Sequence, residues 1–117
     1  MWRDDARLLD MLIAAQKVQA YTTGVTWEAF SRNEMLQDAT VRRLEIIGEA
    51  AREVTQATRD AHPEIPGRII VGMRHRIVHE YFRVDLQKVW DAIQNSIPEL
   101  IALLEPIVPP PKVATPR

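Results

Sequence analysis

Apolar side chains recur every three to four residues along almost the whole of this chain. That spacing places them on one face of an α-helix, and no stretch shows the convincing alternation of apolar and polar residues that indicates a β-strand. The sequence therefore predicts an all-α fold. The predicted long helices run from about Asp4 to Tyr21, Asn33 to Thr58, Pro66 to Phe82 and Leu86 to Leu104, with a short extra helix from Trp27 to about Arg32. The side chains expected to face inward are Leu8, Leu12, Ala15 and Val18 or Gln19 in the first helix; Val41, Leu44, Ile47, Ala51 and Val54 in the second; Ile70, Met73, Ile77 and Tyr81 in the third; and Leu86, Val89, Ile93, Ile97, Leu100 and Leu104 in the fourth.

Capping and breaking residues predict where the helices end. Gly24 ends the first helix, Thr26 is a suitable N-cap for the short helix, and Asp85 is a suitable N-cap for the last one. The stretch HPEIPG, residues 62–67, breaks the chain before the third helix, and Pro98 is expected to bend the fourth. Because short connections favour antiparallel neighbours, the predicted architecture is an antiparallel four-helix bundle.

Length and composition predict one helical domain with a short tail. The 117 residues fit a single core, and 46% apolar with 26% charged residues is ordinary for a globular protein. We assign residues 1–105 to the helical domain and residues 106–117, which contain five prolines, to an extended and largely disordered tail. The charged start and the absence of a long apolar run predict a cytoplasmic protein with no membrane segment. The chain has no cysteine, so disulfides and thiolate metal sites are excluded.

One segment is basic in a chain whose net charge is only −1. Between residues 67 and 83 the sole acidic side chain is Glu80. The basic and imidazole side chains of the segment are Arg68, Arg74, His75, Arg76, His79 and Arg83. A solvated helix face explains most charge clusters, and a groove that binds phosphate is the alternative, because the guanidinium fork matches phosphate oxygens.

The two histidines of this segment admit two chemistries. His75 and His79 are four residues apart, which places them on one face of a helix, where they could hold a metal ion. That site needs further ligands, for which His62, Glu80 or Glu49 are the candidates, none of them at a recognised spacing. A histidine that transfers protons is the other option, because its ordinary pKa of about 6.5 lies near the working pH.

The spacing of Arg74 and His79 bears on assembly. Five positions rotate the second residue by roughly 140° from the first on a regular helix of about 3.6 residues per turn. The two side chains therefore meet only if the helix is distorted or if a two-fold dimer brings two copies of the segment into one cleft. If the motif is functional, this spacing favours a dimer.

Arg74, His79 and Tyr81 together form an R-x-x-x-x-H-x-Y pattern that resembles the HepT-like branch of the HEPN superfamily. The likeness extends to LEIIGEAA at residues 44–51, to HPEIPGRIIVGMRHRIVHEYF at 62–82 and to VDLQKVW at 84–90, in the order expected for that family. It covers nearly the whole chain except the tail. Two positions depart from the family pattern: Gly67 stands where relatives often have tryptophan, and His75 where asparagine is usual.

The resemblance implies a homodimeric endoribonuclease that needs no metal or other cofactor and acts as the toxin of a type VII-like toxin-antitoxin pair. Its implied partners are RNA as substrate and a small nucleotidyltransferase as antitoxin. In this reading His79 is the acid/base, Arg74 stabilises charge at phosphorus and His75 orients the site. Tyr81 matches the tyrosine that the partner modifies with AMP in relatives.

Two alternatives belong to other functional classes. The chain would be a non-catalytic helical dimer that binds nucleotides or RNA, or an adaptor whose main role is to bind the nucleotidyltransferase. RNA cleavage distinguishes the enzyme from both. Arg68, Arg76 and Arg83 are the expected phosphate-binding residues in any reading that includes RNA.

Overall fold

The structure, a computed structural model, describes residues 2–65 and 85–108, and its regular elements there are all helical. In chain order they are α1 (Trp2–Thr22), α2 (Trp27–Arg32), α3 (Glu34–Glu53), α4 (Gln56–Ala61), α5 (Leu86–Asp91), a π-helical turn (Ala92–Ser96) and α6 (Ile97–Leu104). The predicted all-α class is confirmed for these residues. The helix predicted from Pro66 to Phe82 lies outside them, so the four-helix bundle stays a prediction.

The core lies where α1 packs against α3 and α6. Asp4 near the start of α1 contacts Thr55, just after the end of α3, so these two helices run antiparallel. The predicted inward faces of the first, second and last helices are largely confirmed, with Val18 and not Gln19 buried, except that Val41 and Leu86 are only half-buried. The inward face predicted for the third helix, Ile70, Met73, Ile77 and Tyr81, lies outside the described residues. The buried apolar residues of α1 and α3 that form this contact are Leu8, Met11, Leu12, Ala14, Ala15, Val18, Leu44, Ile47, Ala50 and Ala51.

Local interactions define the ends of the first helices, and those at Gly24 and Thr26 are as the sequence predicts. Gly24, after α1, has a φ of 74°, a left-handed conformation that favours glycine. The Thr26 hydroxyl accepts a hydrogen bond from the Ala29 N–H at 3.1 Å and caps α2. The Asn33 side chain accepts one from the Leu36 N–H at 3.0 Å and caps α3. Local capping chemistry therefore determines how the chain turns from α1 into α3.

The second long helix ends earlier than predicted. It was expected to run from Asn33 to Thr58, but α3 stops at Glu53 and a separate short helix, α4, follows. Thr55 has extended backbone angles, and its hydroxyl accepts a hydrogen bond from the Thr58 N–H at 3.4 Å, which makes it the N-cap of α4. The prediction was wrong because the apolar stripe continues through Val54 while the capping threonine breaks the helix directly after it.

The last helical stretch runs from Leu86 to Leu104 as predicted, with a widened turn in the middle. The Asp85 carboxylate caps it by accepting hydrogen bonds from the Gln87 and Lys88 N–H groups at 3.1 and 3.2 Å. Before Pro98, the Ile97 N–H bonds to the carbonyl of Ala92, five residues back. Proline has no N–H and its ring crowds the preceding turn, so a π-helical turn accommodates it where the sequence predicted a bend.

The described chain ends in a turn after α6. The N–H groups of Ile107 and Val108 both bond to the Leu104 carbonyl, at 3.1 and 2.9 Å, and Val108 is only 8% exposed. Ile107 and Val108, which the sequence assigns to the tail, therefore pack on the helical core. Residues 109–117 lie outside the described part of the chain.

Candidate functional site

The predicted site residues all fall between Ile65 and Asp85, outside the described residues. They are Arg68, Arg74, His75, Arg76, His79, Tyr81 and Arg83. Their roles stay predictions. The structure does describe two places that flank this segment in the sequence: the helices before Ile65 and the helices from Asp85 onward.

At the first of these places a buried carboxylate holds the turn between α3 and α4. Asp4 of α1 is only 2% exposed. Its Oδ2 accepts hydrogen bonds from the hydroxyls of Thr55 at 2.6 Å and Thr58 at 2.5 Å, and its Oδ1 accepts one from the Thr55 N–H at 3.2 Å. We call this set of residues, Asp4, Thr55 and Thr58, the corner network.

The corner network favours the ionised form of its carboxylate. The hydroxyls of Thr55 and Thr58 and the Thr55 N–H all donate to it, and these hydrogen bonds lower the pKa of Asp4 below its ordinary value of 3.8, against an opposing effect of burial. Asp4 is therefore charged at neutral pH. A charged acceptor makes stronger hydrogen bonds than a neutral one, so the ionised carboxylate strengthens the corner network at neutral pH.

A second polar contact joins α4 to the end of α3. The Arg59 guanidinium donates through Nη2 to the carbonyls of Ala51 at 2.8 Å and Arg52 at 3.2 Å. These carbonyls lie in the last turn of α3, where helix geometry leaves acceptors without partners and where positive charge is favourable. Arg59 therefore caps α3 from the following helix.

Beyond α4, the chain is held close to the core up to the last described residue before the segment. The Ile65 N–H bonds to the His62 carbonyl at 3.1 Å, and the His62 Nδ1 lies 3.4 Å from a Glu64 carboxylate oxygen. Ile65 and His62 line a largely apolar depression with Leu8 and Met11 of α1. Ile65, the last described residue before the segment, thus lies against the first helix.

Aromatic packing anchors α5, the helix that follows the segment. Trp90 of α5 packs against Phe30 and Trp27 of α2, with ring centroids 5.3 and 6.1 Å apart. Val89, next to it, is fully buried. Together with the Asp85 cap, these contacts anchor the helix that directly follows the segment.

The described residues offer few other places for the predicted chemistry. A groove between α1 and α3 is lined by Arg7, Asp10, Glu49, Arg52 and Glu53, and its mixed charges do not favour RNA phosphate. Within residues 2–65 and 85–108, no three His, Cys, Asp or Glu side chains are grouped to hold a metal ion. None of the helices described there is both long and apolar enough to cross a membrane.

No pattern in the sequence indicates the corner network. Asp4 and Thr55 are 51 residues apart, and a single sequence carries no signal of that contact. The available clue is local: Thr55 directly follows the apolar Val54 and is of a residue type suited to cap a new helix.

Comparison with known proteins places the chain among ribonucleases. A Methanocaldococcus jannaschii protein named "Putative RNase MJ1216" is 35% identical over 103 residues, which cover 88% of this chain and 85% of the relative. "Putative RNase TTE0752" of Caldanaerobacter subterraneus subsp. tengcongensis is 42% identical over 77 residues, covering 66% and 69%. "Probable ribonuclease HepT" of Thermococcus cleftensis is 36% identical over 93 residues, covering 80% and 84%. No solved structure matches the chain.

The family model described as "Ribonuclease HepT-like" matches residues 11–107. The chain therefore belongs to the HepT-like ribonuclease family. The match includes α3, the helices after residue 85 and the whole predicted site segment between them. The resemblance drawn from the motif and its flanking blocks is confirmed at the level of the family.

The pH dependence of the free energy of unfolding should show the contribution of the Asp4 carboxylate. Because folding lowers the pKa of Asp4, its ionised form stabilises the fold above pH 3.8, and this contribution is lost as the pH falls through the lowered pKa. We expect Asp4→Asn to lower the free energy of unfolding near neutral pH, and the difference from the wild type to shrink below pH 3.8. Denaturant unfolding followed by circular dichroism at several pH values measures both. Asp5→Asn, an exposed carboxylate in the same helical turn, is the control. An Asp4→Asn effect that does not change with pH would contradict this assignment.

Proposed function

We propose that the chain is a metal-independent endoribonuclease that acts as the toxin of a cytoplasmic, type VII-like toxin-antitoxin pair. The observation that supports this most is the family match over residues 11–107, because the Arg74, His79 and Tyr81 pattern lies inside it. The names of the relatives, which describe RNases, agree with RNA as the substrate.

The proposed chemistry is transfer of a phosphodiester to the neighbouring ribose hydroxyl. The 2′-hydroxyl gives up its proton as its oxygen attacks phosphorus, the bond from phosphorus to the 5′-oxygen breaks, and the leaving 5′-oxygen takes up a proton. His79 moves these protons as acid/base, since imidazole titrates near neutral pH. Arg74 stabilises the negative charge that builds on the phosphoryl oxygens, and His75 orients the site. This step consumes neither water nor a metal ion.

RNA binding is proposed to rest on the arginines that surround this pair. Arg68, Arg76 and Arg83 lie in the same segment, and a guanidinium can donate two hydrogen bonds to one phosphate. The chain as a whole is nearly neutral, with a net charge of −1, so the attraction to RNA has to come from such a local cluster.

The active form is proposed to be a homodimer. On a regular helix, Arg74 and His79 diverge by roughly 140°, so one copy of the segment does not easily present both to the same phosphate. A two-fold axis near the segment duplicates each residue and allows the arginine of one copy to act with the histidine of the other. The composite cleft would also explain how so small a domain forms a nuclease site.

The catalytic proposal predicts that single substitutions abolish activity without unfolding the chain. His79→Ala and Arg74→Ala should each abolish RNA cleavage, because each removes one of the two groups that act in the transition state. Cleavage of labelled RNA by the purified proteins measures activity, circular dichroism measures helical content, and light scattering measures mass. The variants should keep the wild-type helical content and a dimeric mass.

The matched control is Arg43→Ala on α3, which removes an arginine outside the basic segment and should leave cleavage unchanged. If the wild type binds RNA but leaves it intact, the non-catalytic binding dimer becomes the better account. If the wild type neither binds nor cleaves RNA but binds a nucleotidyltransferase, the adaptor becomes the better account. A monomeric wild-type mass at micromolar concentration would contradict the composite cleft.

Regulation is proposed to act through Tyr81. A nucleotidyltransferase partner would transfer AMP to its hydroxyl, which forms a phosphodiester on the phenolic oxygen and releases pyrophosphate from ATP. The added phosphate would pair with Arg74 or Arg76 and compete with RNA for them. Silencing the enzyme would then require no refolding.

The regulatory proposal predicts that removal of the Tyr81 hydroxyl keeps RNA cleavage but prevents silencing by the nucleotidyltransferase. Tyr81→Phe should keep the aromatic ring and RNA cleavage but remain toxic when the nucleotidyltransferase is co-expressed. Intact-mass analysis of the wild-type chain after co-expression should show added AMP, mapped by peptide sequencing to Tyr81. Tyr21→Phe, at the end of α1, is the matched control and should still be silenced. Full neutralisation with an unmodified Tyr81 would instead indicate that the partner blocks the site by binding.

A further inference from the structure

We propose that Asp4 is a positioning residue for RNA cleavage, acting through the corner network on the segment that carries Arg74 and His79. This inference rests on the proposed function and adds residues from the first helix to it. Asp4 does not touch RNA in this account. Its role is to hold α4, from which the chain continues into the segment.

The placement of α4 depends on polar contacts more than on apolar packing. The helix has only six residues, Gln56–Ala61, and none of them is fully buried. A helix this short is not stable by itself, so contacts with the rest of the fold must hold it. The contacts that do so join Asp4 to Thr55 and Thr58, and Arg59 to the last carbonyls of α3.

The corner network lies at one end of the main core. Leu8, Ala51 and Val54 are buried beside the corner, whereas Met11, Leu44 and Ile47, which are almost fully buried, lie further along the two helices. Loss of the Asp4 carboxylate removes hydrogen bonds at the corner and leaves that apolar contact in place. The fold should therefore survive while α4 loses its fixed direction.

In this proposal, a small change in the direction of α4 displaces the predicted catalytic pair. Residues 62–65 separate the end of α4 from the segment, and Arg74 is nine residues after Ile65. Phosphate binding by long arginine side chains tolerates a small displacement, because its electrostatic attraction has little directional requirement. Proton transfer and in-line attack do not tolerate such a displacement, since a misplacement of about 1 Å can cost roughly a hundredfold in rate. The effect should appear in kcat and not in KM.

Two pairs of variants test this on the full-length chain. Asp4→Ala removes the acceptor, and Asp5→Ala removes the exposed neighbouring carboxylate in the same helical turn. Thr58→Val removes one donor hydroxyl and keeps the shape, whereas Thr58→Ser keeps the hydroxyl. Cleavage of a labelled RNA oligonucleotide is measured over a range of concentrations, at a temperature where circular dichroism shows every variant fully folded.

We expect kcat to fall roughly tenfold or more for Asp4→Ala and Thr58→Val, with KM within about twofold of the wild type. Asp5→Ala and Thr58→Ser should behave like the wild type. A role in stability alone would leave kcat unchanged in all of the folded variants. If Asp4→Ala does not fold, the two Thr58 variants decide the question.

The possible failures are distinguishable. A wild type that cleaves RNA together with Thr58→Val or Asp4→Ala at full kcat overturns the positioning role and leaves the proposed function standing. A rise in KM at unchanged kcat overturns it as well, because the corner would then act in RNA binding. A wild type that does not cleave RNA overturns the proposed function and this inference with it.

Discussion

The antiparallel packing of α1 on α3 is the contact on which the rest of the structure depends. Both helices carry an apolar stripe at helical spacing, and burial of each large side chain in such a stripe contributes roughly 1.5 to 3 kcal/mol. The same packing brings Asp4 beside Thr55 and Thr58, although these residues lie far apart in the sequence. The apolar contact determines how α1 and α3 pack, and the polar contact at its end holds the start of α4.

The two boundaries of the predicted site segment are held by similar chemistry. On the first side the Asp4 carboxylate accepts hydrogen bonds from the cap of α4, and on the second the Asp85 carboxylate accepts them from the first turn of α5. The Asp85 carboxylate satisfies N–H groups that the start of α5 leaves free, whereas the Asp4 carboxylate accepts from the Thr55 N–H and from two threonine hydroxyls. A segment rich in arginine and histidine is thus attached at both ends to well-ordered helices. Nuclease chemistry needs such attachment, because its reacting groups must be aligned closely.

Features determined by neighbouring residues could be predicted from the sequence, and features determined by distant contacts could not. The caps at Thr26 and Asp85 and the turn at Gly24 follow from the preferences of single residues, and the structure confirms them. The break after Val54 was missed, because the apolar spacing runs on and the Asp4 contact has no signal in the sequence. At Pro98 the sequence indicates a disturbance, but whether the helix bends or widens depends on packing around it. The site residues follow from the motif and its resemblance to a family, and they stay predictions; the family match covers residues 11–107.

The chemistry of the RNA ends tests the central claim most directly. Attack by the neighbouring 2′-hydroxyl leaves a 2′,3′-cyclic phosphate on one fragment and a 5′-hydroxyl on the other, and it requires no metal ion. The purified chain should therefore cut RNA in the presence of EDTA, and mass spectrometry of the fragments should show these two ends. An RNA with a 2′-deoxyribose at the cleaved position should stay intact. Fragments with a 3′-hydroxyl and a 5′-phosphate, formed only when a divalent metal is added, would contradict the account and indicate hydrolysis by a metal-bound water.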